Sequence, residues 1–388
     1  MFTPQIKNIT PAPDQMKHIW ELLQEYPYTS HATTDELYIK AMKEIIRFHA
    51  ERNPFYKQLL AYNNFDIDQL NSIDDLAKIP FIHANFFKTH VVKTAKEEDI
   101  AMHVTSSGTT GQKSQHFLDK WTVEVMHYIS DVSQQANGYI SDQPCNYLVF
   151  NFEPYVGFKT GTATTNQIMM QYAPKVHVNY ALRYNGQKGH DFDSFGVVEK
   201  LIEYQKEGLP VRMLGFAAFL NFSIDKLKDM GFDKLTLHPD SRCLFGGGWK
   251  GHADKEIPKA AFYQKIHEFF GIPLENIRDK YGSVEHPISY VECEHHHLHL
   301  PTYERVIIRD VETLEPLGYG KPGFAQLISP VITSMPSHSI LMGDMAVLNP
   351  GESCPCKHGT PYFEIKGRAG TSKNKSCAIA ASEMLQRK

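Results

Sequence analysis

The chain has 388 residues, 42% of them apolar and 22% charged, with 40 lysines and arginines against 44 acidic residues for a formal charge of −4. At roughly 150 residues per domain, this length makes two or three domains, or one large domain with an appendage. The composition is that of a globular protein and excludes a disordered tail, a collagen-like repeat and a small disulfide-stapled scaffold. The charge gives no reason to expect nucleic acid as a partner.

The six cysteines, Cys145, Cys243, Cys293, Cys354, Cys356 and Cys377, are too sparse for a disulfide framework. The close pair Cys354 and Cys356 near histidines reads as a metal site or as reduced thiols. The N-terminus lacks the apolar run of a signal peptide. No apolar stretch is long enough to cross a bilayer. These features predict a soluble cytoplasmic protein without a membrane span.

In chain order, residues 12 to 80 look helical. One segment opens at Asp14 and runs to about Tyr26. A second begins at Thr34, with Leu37, Ala41, Ile45 and Phe48 at helical spacing, and Pro54 ends it. From about residue 100 to 285 the pattern alternates. Strands are expected at 146–150, 175–180, 211–216 and 243–245, and helices at 193–207, 220–230 and 257–270. This alternation predicts a layered α/β domain with a largely parallel sheet. After residue 287 come short strands at 305–309, 324–329 and 345–348, separated by glycine and proline. The expected organisation is a helical region and α/β core over 1–286, a small β-rich subdomain over 287–368, and a polar tail over 369–388. Seven of the twenty histidines fall between His286 and His358.

The most informative segment is Val104-Thr-Ser-Ser-Gly-Thr-Thr-Gly-Gln-Lys-Ser114. Gly108 and Gly111 let the backbone turn tightly and approach a ligand. Thr105, Ser106, Ser107, Thr109 and Thr110 supply hydroxyls, and Lys113 supplies a cation. Backbone N–H groups, hydroxyls and one positive charge are the chemistry that holds polyphosphate. The spacing is not that of a Walker loop, because the fifth residue after Gly108 is Lys113 and not glycine.

This loop resembles the phosphate loop of the adenylate-forming superfamily, whose members make acyl-adenylates from a carboxylic acid and ATP. Five more motifs follow in that superfamily's order. Gly246-Gly247-Gly248 resembles the glycine turn of the adenine pocket. Tyr281-Gly282-Ser283-Val-Glu285 resembles the Tyr-Gly-x-x-Glu motif, whose tyrosine lies against adenine and whose glutamate helps hold Mg²⁺. Gly320-Lys-Pro-Gly323 resembles the turn before the ribose-binding aspartate. Gly343-Asp344 resembles the Gly-Asp that holds the ribose hydroxyls, and Gly367-Arg368 the Gly-Arg that contacts the nucleotide where the core ends.

Two branches of the superfamily compete. Cys293-Glu-His-His-His-Leu-His299-Leu-Pro301, Ile307-Ile-Arg-Asp310 and Ser337-His-Ser-Ile340 resemble the acyl-protein synthetase branch of the bacterial luciferase fatty-acid reductase system. The alternative branch is the phenylacetate–CoA ligase type. The resemblance implies the superfamily's α/β core and an ATP-dependent ligase that uses Mg²⁺. It also implies a carboxylic acid substrate, a fatty acid in the first branch, and an acyl reductase as a partner.

Only 20 residues follow Arg368, so the superfamily's C-terminal lid domain is expected to be absent or truncated and no lid lysine can be carried over. Lys373 and Lys375 are the local candidates to replace it. In acyl-protein synthetases a cysteine near the C-terminus takes the acyl group from the adenylate, which points to Cys377. A thiolate is a good nucleophile towards an acyl-adenylate, and neighbouring lysines favour it. Free coenzyme A stays open as the alternative acceptor. Lys113 and Glu285 would offset phosphate charge during adenylation.

Cys293, His299, Cys354 and Cys356 make up the three-cysteine, one-histidine composition of a structural zinc site. His358 and His295 to His297 are rival ligands. Phe216 and Phe219 are candidates for an acyl pocket, with hydrophobic core as the favoured reading. Two other classes remain: a non-catalytic nucleotide-binding subunit and a zinc-stabilised interaction protein.

Overall fold

A computed structural model describes residues 9, 16–106, 114–156, 161–187, 189–249 and 251–368, with the side chains of 161–164 left aside. The chain divides into two compact units. One is built on Asn137–Tyr281 and Val291–His296, the other on Ile6–Ala136, Gly282–Tyr290 and His297–Lys388.

Parallel pairing organises the first unit. The strands Ile277–Tyr281, Arg242–Gly246, Val211–Gly215, Cys145–Phe152 and Lys175–Tyr184 lie side by side in that order. Each pair among them is parallel, and the short strand His190–Phe192 closes one edge antiparallel. Helices on the faces of such a sheet bury its strands on both sides, so central strands read as unbroken apolar runs. Cys145–Phe150 and Val211–Gly215 are buried at every position.

The crossover helices are set by their ends. Helix Ser194–Glu207 starts where the Asp193 side chain accepts from Gly196 N at 2.8 Å. It stops at Gly208, which takes a left-handed φ of 71°. Helices Ala217–Asp229 and Lys259–Phe270 join it over a core that includes Leu201, Met213, Leu220, Ile224, Ile266 and Ile277. Phe216 is fully buried, and Phe219 packs against this core.

The second unit carries an antiparallel sheet. Its strand order is Leu298–His299, Tyr362–Arg368, Ser339–Asn349, Pro322–Ile328, Arg305–Arg309 and Pro316–Leu317. Ile82–His83 adds to Ser339–Asn349 as a parallel strand. Helices Lys17–Leu23, His31–Arg52, Pro54–Tyr62 and Lys120–Ala136 contribute to one core with Tyr303, Ile328 and Ile332.

Several expected helix boundaries shift: the first helix ends at Leu23, the helix expected at 220–230 runs Ala217–Asp229, and that expected at 257–270 runs Lys259–Phe270. The long helix begins at His31, three residues before Thr34, whose hydroxyl instead lies 3.2 Å from the His31 carbonyl. Pro54 does not simply end a helix. Arg52 is the last residue of one helix, and Pro54 is the first of the next. The Asn53 side chain between them accepts from Tyr56 N at 3.0 Å. Proline at a first helical position forfeits no intrahelical bond, since that N–H has no partner there. Asp14 lies outside the described residues.

Candidate active site and metal centre

In open α/β sheets, ligands bind beyond the carboxyl ends of the parallel strands. In the first unit those ends carry Gly215, Gly246 and Tyr281. The glycine turn is needed for two reasons. Gly247 and Gly248 have φ of 83° and 61°, the left-handed region that favours glycine. A side chain at Gly246 would displace the lysine beside it, since an added Cβ would lie 2.7 Å from Lys280 Cε and 2.9 Å from its Cγ. Gly246 and Lys280 are register partners, so Tyr281 is held on the strand beside the turn. Gly246, Gly247, Gly248 and Tyr281 thus come together at one sheet edge.

Lys280 was not singled out in the sequence, although it adjoins Tyr281. Burial pushes its ammonium down to about 8. Next to it, burial and the Glu292 carboxylate push Asp279 up to about 7.

In the second unit, Thr105 ends the strand Ile100–Thr105. Ser106 closes the base of the serine–threonine–glycine loop. Its N–H donates to the Ser114 carbonyl at 3.1 Å, and its Oγ accepts from Ser114 N at 2.9 Å. The loop's own Ser107, Gly108, Thr109, Thr110, Gly111 and Lys113 lie outside the described residues, as do Lys373, Lys375 and Cys377.

Asp344 and Arg368 face each other across antiparallel strands, with Nε and Oδ1 3.5 Å apart. The arginine side chain is 62% exposed, so the pair adds little stability and leaves the guanidinium accessible. Glu285 is 5% exposed, and its carboxylate has no hydrogen bond or ion pair among the described residues. A buried carboxylate without a protein donor suits a cation.

The turn that carries Gly282, Ser283 and Glu285 is anchored by residues the sequence reading missed. His286 N donates to Ser283 Oγ at 3.2 Å. Its ring spans Ser337 O at 3.1 Å and Glu304 Oε2 at 2.9 Å. Tyr290 donates its hydroxyl to the same Glu304 oxygen at 2.8 Å. His286 and Glu304 are fully buried. The only sequence signal was the adjacency of His286 to Glu285, and Glu304 gave none.

The ligand atoms of Cys293, His299, Cys354 and Cys356 all lie within 4.8 Å of one another. Zinc bound tetrahedrally at about 2.3 Å from sulfur requires sulfurs a little under 4 Å apart, so a small inward shift would complete such a shell. His299 is oriented for this role. Its Nδ1–H donates to the Thr360 carbonyl at 2.7 Å, which leaves Nε2 facing Cys356 Sγ at 3.2 Å. Burial pushes its ring down to about 4, so it stays neutral and able to ligate. Backbone N–H groups of His295 and His358 donate to Cys293 Sγ and Cys356 Sγ, each at 3.4 Å, which favours thiolates. The rival histidine rings are placed otherwise: His358 stacks on Tyr28 at 3.8 Å and His297 on Tyr362 at 4.0 Å.

The family described as acyl-protein synthetase, LuxE, matches residues 20–386. The chain belongs to this family. It is an adenylate-forming ligase, which activates a carboxylic acid with ATP through an acyl-adenylate. Among its relatives is the long-chain-fatty-acid–luciferin-component ligase of Aliivibrio fischeri. That protein is 24% identical over 372 residues, spanning 91% of this chain and 89% of the relative. The ligase of the same name from Vibrio harveyi is 22% identical, spanning 95% of this chain and 91% of the relative. Among solved structures, a 2-hydroxyisobutyryl-CoA ligase crystallised in an open conformation with 2-HIB-AMP and CoA has the same fold. Its TM-score is 0.67 at 14% identity, covering 95% of this chain and 81% of that one. The acyl-protein synthetase core fold expected from the motifs is therefore present. No helix among the described residues is long and apolar enough to cross a membrane.

Proposed function

We propose that this acyl-protein synthetase activates a long-chain fatty acid and transfers the acyl group to its own Cys377. The family match carries the reading, because its span, residues 20–386, includes Cys377. The names of the two curated relatives support the choice of acid.

In the first step a carboxylate oxygen of the acid attacks the α-phosphorus of ATP, and the bond to pyrophosphate breaks. The barrier is largely charge repulsion and positioning, so fixed donors and cations lower it most. Lys113 and the N–H groups of its loop would hold the phosphates, Asp344 the ribose hydroxyls, Tyr281 and Gly246–Gly248 the base, and Arg368 the nucleotide beside Asp344. Glu285 would hold magnesium, which when bound neutralises phosphate charge. In the second step the Cys377 thiolate attacks the acyl carbonyl, a C–S bond forms, the C–O bond to AMP breaks, and AMP leaves. Cys293, His299, Cys354 and Cys356 would hold a structural zinc, whose contribution is to staple the Cys293–His299 turn to the Cys354–Cys356 loop. An acyl reductase that removes the acyl group from Cys377 is the partner this chemistry calls for, and the cytoplasm is the compartment that keeps these thiols reduced.

Intact-protein mass spectrometry after incubation with ATP, Mg²⁺ and a panel of carboxylic acids, with and without coenzyme A, tests the proposal. The expected result is an ATP-dependent acyl increment on the chain, mapped to Cys377 and lost in Cys377→Ser. An unmodified chain with acyl-CoA in solution would reassign the acceptor to coenzyme A.

A further inference from the structure

The first unit has a second polar cleft at the opposite end of its parallel sheet. Where Gly215 and Gly246 mark the carboxyl ends, Arg212 and Arg242 sit at the amino ends of the same two strands and are register partners. With Ser141, Gln143, Cys145 and Asp240 they line a cavity of about 200 Å³.

Arg212 is 3% exposed, and its Nη1 is sealed from water without a hydrogen-bond partner. Neither arginine has a carboxylate within ion-pair distance among the described residues. Asp240 is exposed and lies 3.8 Å from the His238 ring. The other buried arginines are differently placed. Arg278 donates to three carbonyls, of Glu275, Asn137 and Glu292. Arg305 has a carboxylate partner, Asp35 at 2.9 Å, although its Nε also lacks a hydrogen bond. Arg309 donates to the carbonyls of Leu314 and Ala77.

What partly screens the pair is Tyr139. The Arg212 guanidinium lies 4.7 Å and that of Arg242 6.0 Å from its ring centre. Arg242 also donates to the Gly138 carbonyl. A ring face attracts a cation but does not neutralise it, and two like charges on adjacent strands repel. A buried, unpaired guanidinium is costly unless a counter-charge arrives. Two guanidinium groups beside a serine hydroxyl and a glutamine amide form a donor set for a doubly charged oxyanion.

We propose that the cleft between Arg212 and Arg242 binds a phosphate dianion, free or as a monoester, at a site separate from the nucleotide-binding motifs. Ser141 and Gln143 supply donors at its wall, and Arg212 forms its floor. The inference stands on the geometry of this unit and does not depend on which acid is activated.

Titration calorimetry and thermal unfolding of the full chain test it, with ATP present throughout to occupy the phosphate loop. Inorganic phosphate, pyrophosphate and glycerol phosphate are compared with sodium chloride and acetate at equal ionic strength. Phosphate should bind and raise the unfolding temperature, and the arms tell free phosphate from pyrophosphate and from an ester. Arg242→Gln should weaken binding at least about tenfold, the loss of one charge-assisted contact, and leave acyl-adenylate formation unchanged. Arg212→Met should abolish binding. If that variant does not fold, Arg242→Gln decides. Equal phosphate affinity in wild type and Arg242→Gln, or equal effects of phosphate and chloride, would overturn the proposal.

Discussion

We predict that acidification from pH 8 to pH 5 destabilises the second unit through histidines that are buried neutral, and that His116→Leu removes part of this loss. Burial pushes His49 and His116 down to about 3. Burial, with His49 and His286 nearby, holds His338 well below its ordinary value. A histidine whose folded value is depressed contributes its full share of stability above about 6.5 and loses it as pH falls towards 3. In that window the unfolded chain takes up a proton that the folded one refuses. At pH 5 the gap of about 1.5 units below 6.5 costs about 2 kcal/mol per group, at about 1.4 kcal/mol per unit. His49 and His116 together make about 4 kcal/mol, a large part of the 5–15 kcal/mol typical of a domain, and His338 acts in the same sense. Asp279 in the other unit acts in the opposite sense, since its raised value favours the folded state as pH falls. The informative quantity is therefore the difference between wild type and variant. His116 suits this because both ring nitrogens are buried without partners, against the Phe87 ring at 4.6 Å. Leucine has nearly the same volume and no polar atoms, so His116→Leu is expected to be as stable as wild type or more so at pH 8. Its stability should fall about 2 kcal/mol less on going to pH 5. Urea unfolding across this range, followed by tryptophan fluorescence, gives both curves, and Trp20 and Trp121 report on the unit concerned. Parallel pH dependences for the two proteins would refute the reasoning.

The remaining predictions concern the site and its supports. Glu285→Gln is expected to lower kcat for acid-dependent pyrophosphate exchange by about 10²–10³ and to raise the Mg²⁺ concentration needed, as read from a Mg²⁺ titration at fixed ATP. Glu304→Ala should cost about 3–5 kcal/mol in urea unfolding, because His286 and Tyr290 would then be buried without their shared acceptor. Elemental analysis should find one zinc per chain, and removing it with a chelator should lower the unfolding temperature of wild type but not that of Cys356→Ser. Raising the pH through about 8 discharges Lys280 beside the glycine turn, so ATP affinity should weaken there in wild type and hold in Lys280→Arg, as measured by equilibrium binding.

Much of the architecture was legible because local and global preferences agree. Unbroken apolar runs such as Asn146–Phe150 sit in a sheet buried on both faces, and Asp193 and Gly208 bracket a helix they are chemically suited to cap. The misread boundaries arose where one residue type serves two purposes. Proline halts a helix that precedes it and also starts one that follows. At residues 52–54 it does both, with Asn53 as the cap of the second helix. Threonine can cap a helix or bond back within its first turn, and Thr34 does the latter. The participation of Ile82–His83 in the antiparallel sheet was not legible either. Two residues give no periodicity, and their pairing with Ile340 and Leu341 spans more than 250 positions.

The site was read by motif, and motifs report groups that touch a ligand better than groups that hold those groups in place. Glycine positions are legible where a left-handed φ or a close neighbour disfavours a side chain. Gly246 is fixed by the Lys280 side chain across it, and Gly247 by its left-handed φ and the Phe216 ring 3.0 Å from where a Cβ would be. The cysteine–histidine group was legible because three cysteines and one histidine are a composition suited to a metal, and the fold brings their ligand atoms within 4.8 Å of one another. The supports were not, because burial turns polar residues into partners only in three dimensions. Glu304 is an ordinary glutamate in the chain, and only the fold makes it the shared acceptor of His286 and Tyr290. Arg212 is an ordinary arginine in an apolar strand until its depth and the absence of a hydrogen bond to Nη1 are known. A buried polar group that serves as the shared partner of others, as Glu304 does for His286 and Tyr290, is a support, and only the fold creates that partnership.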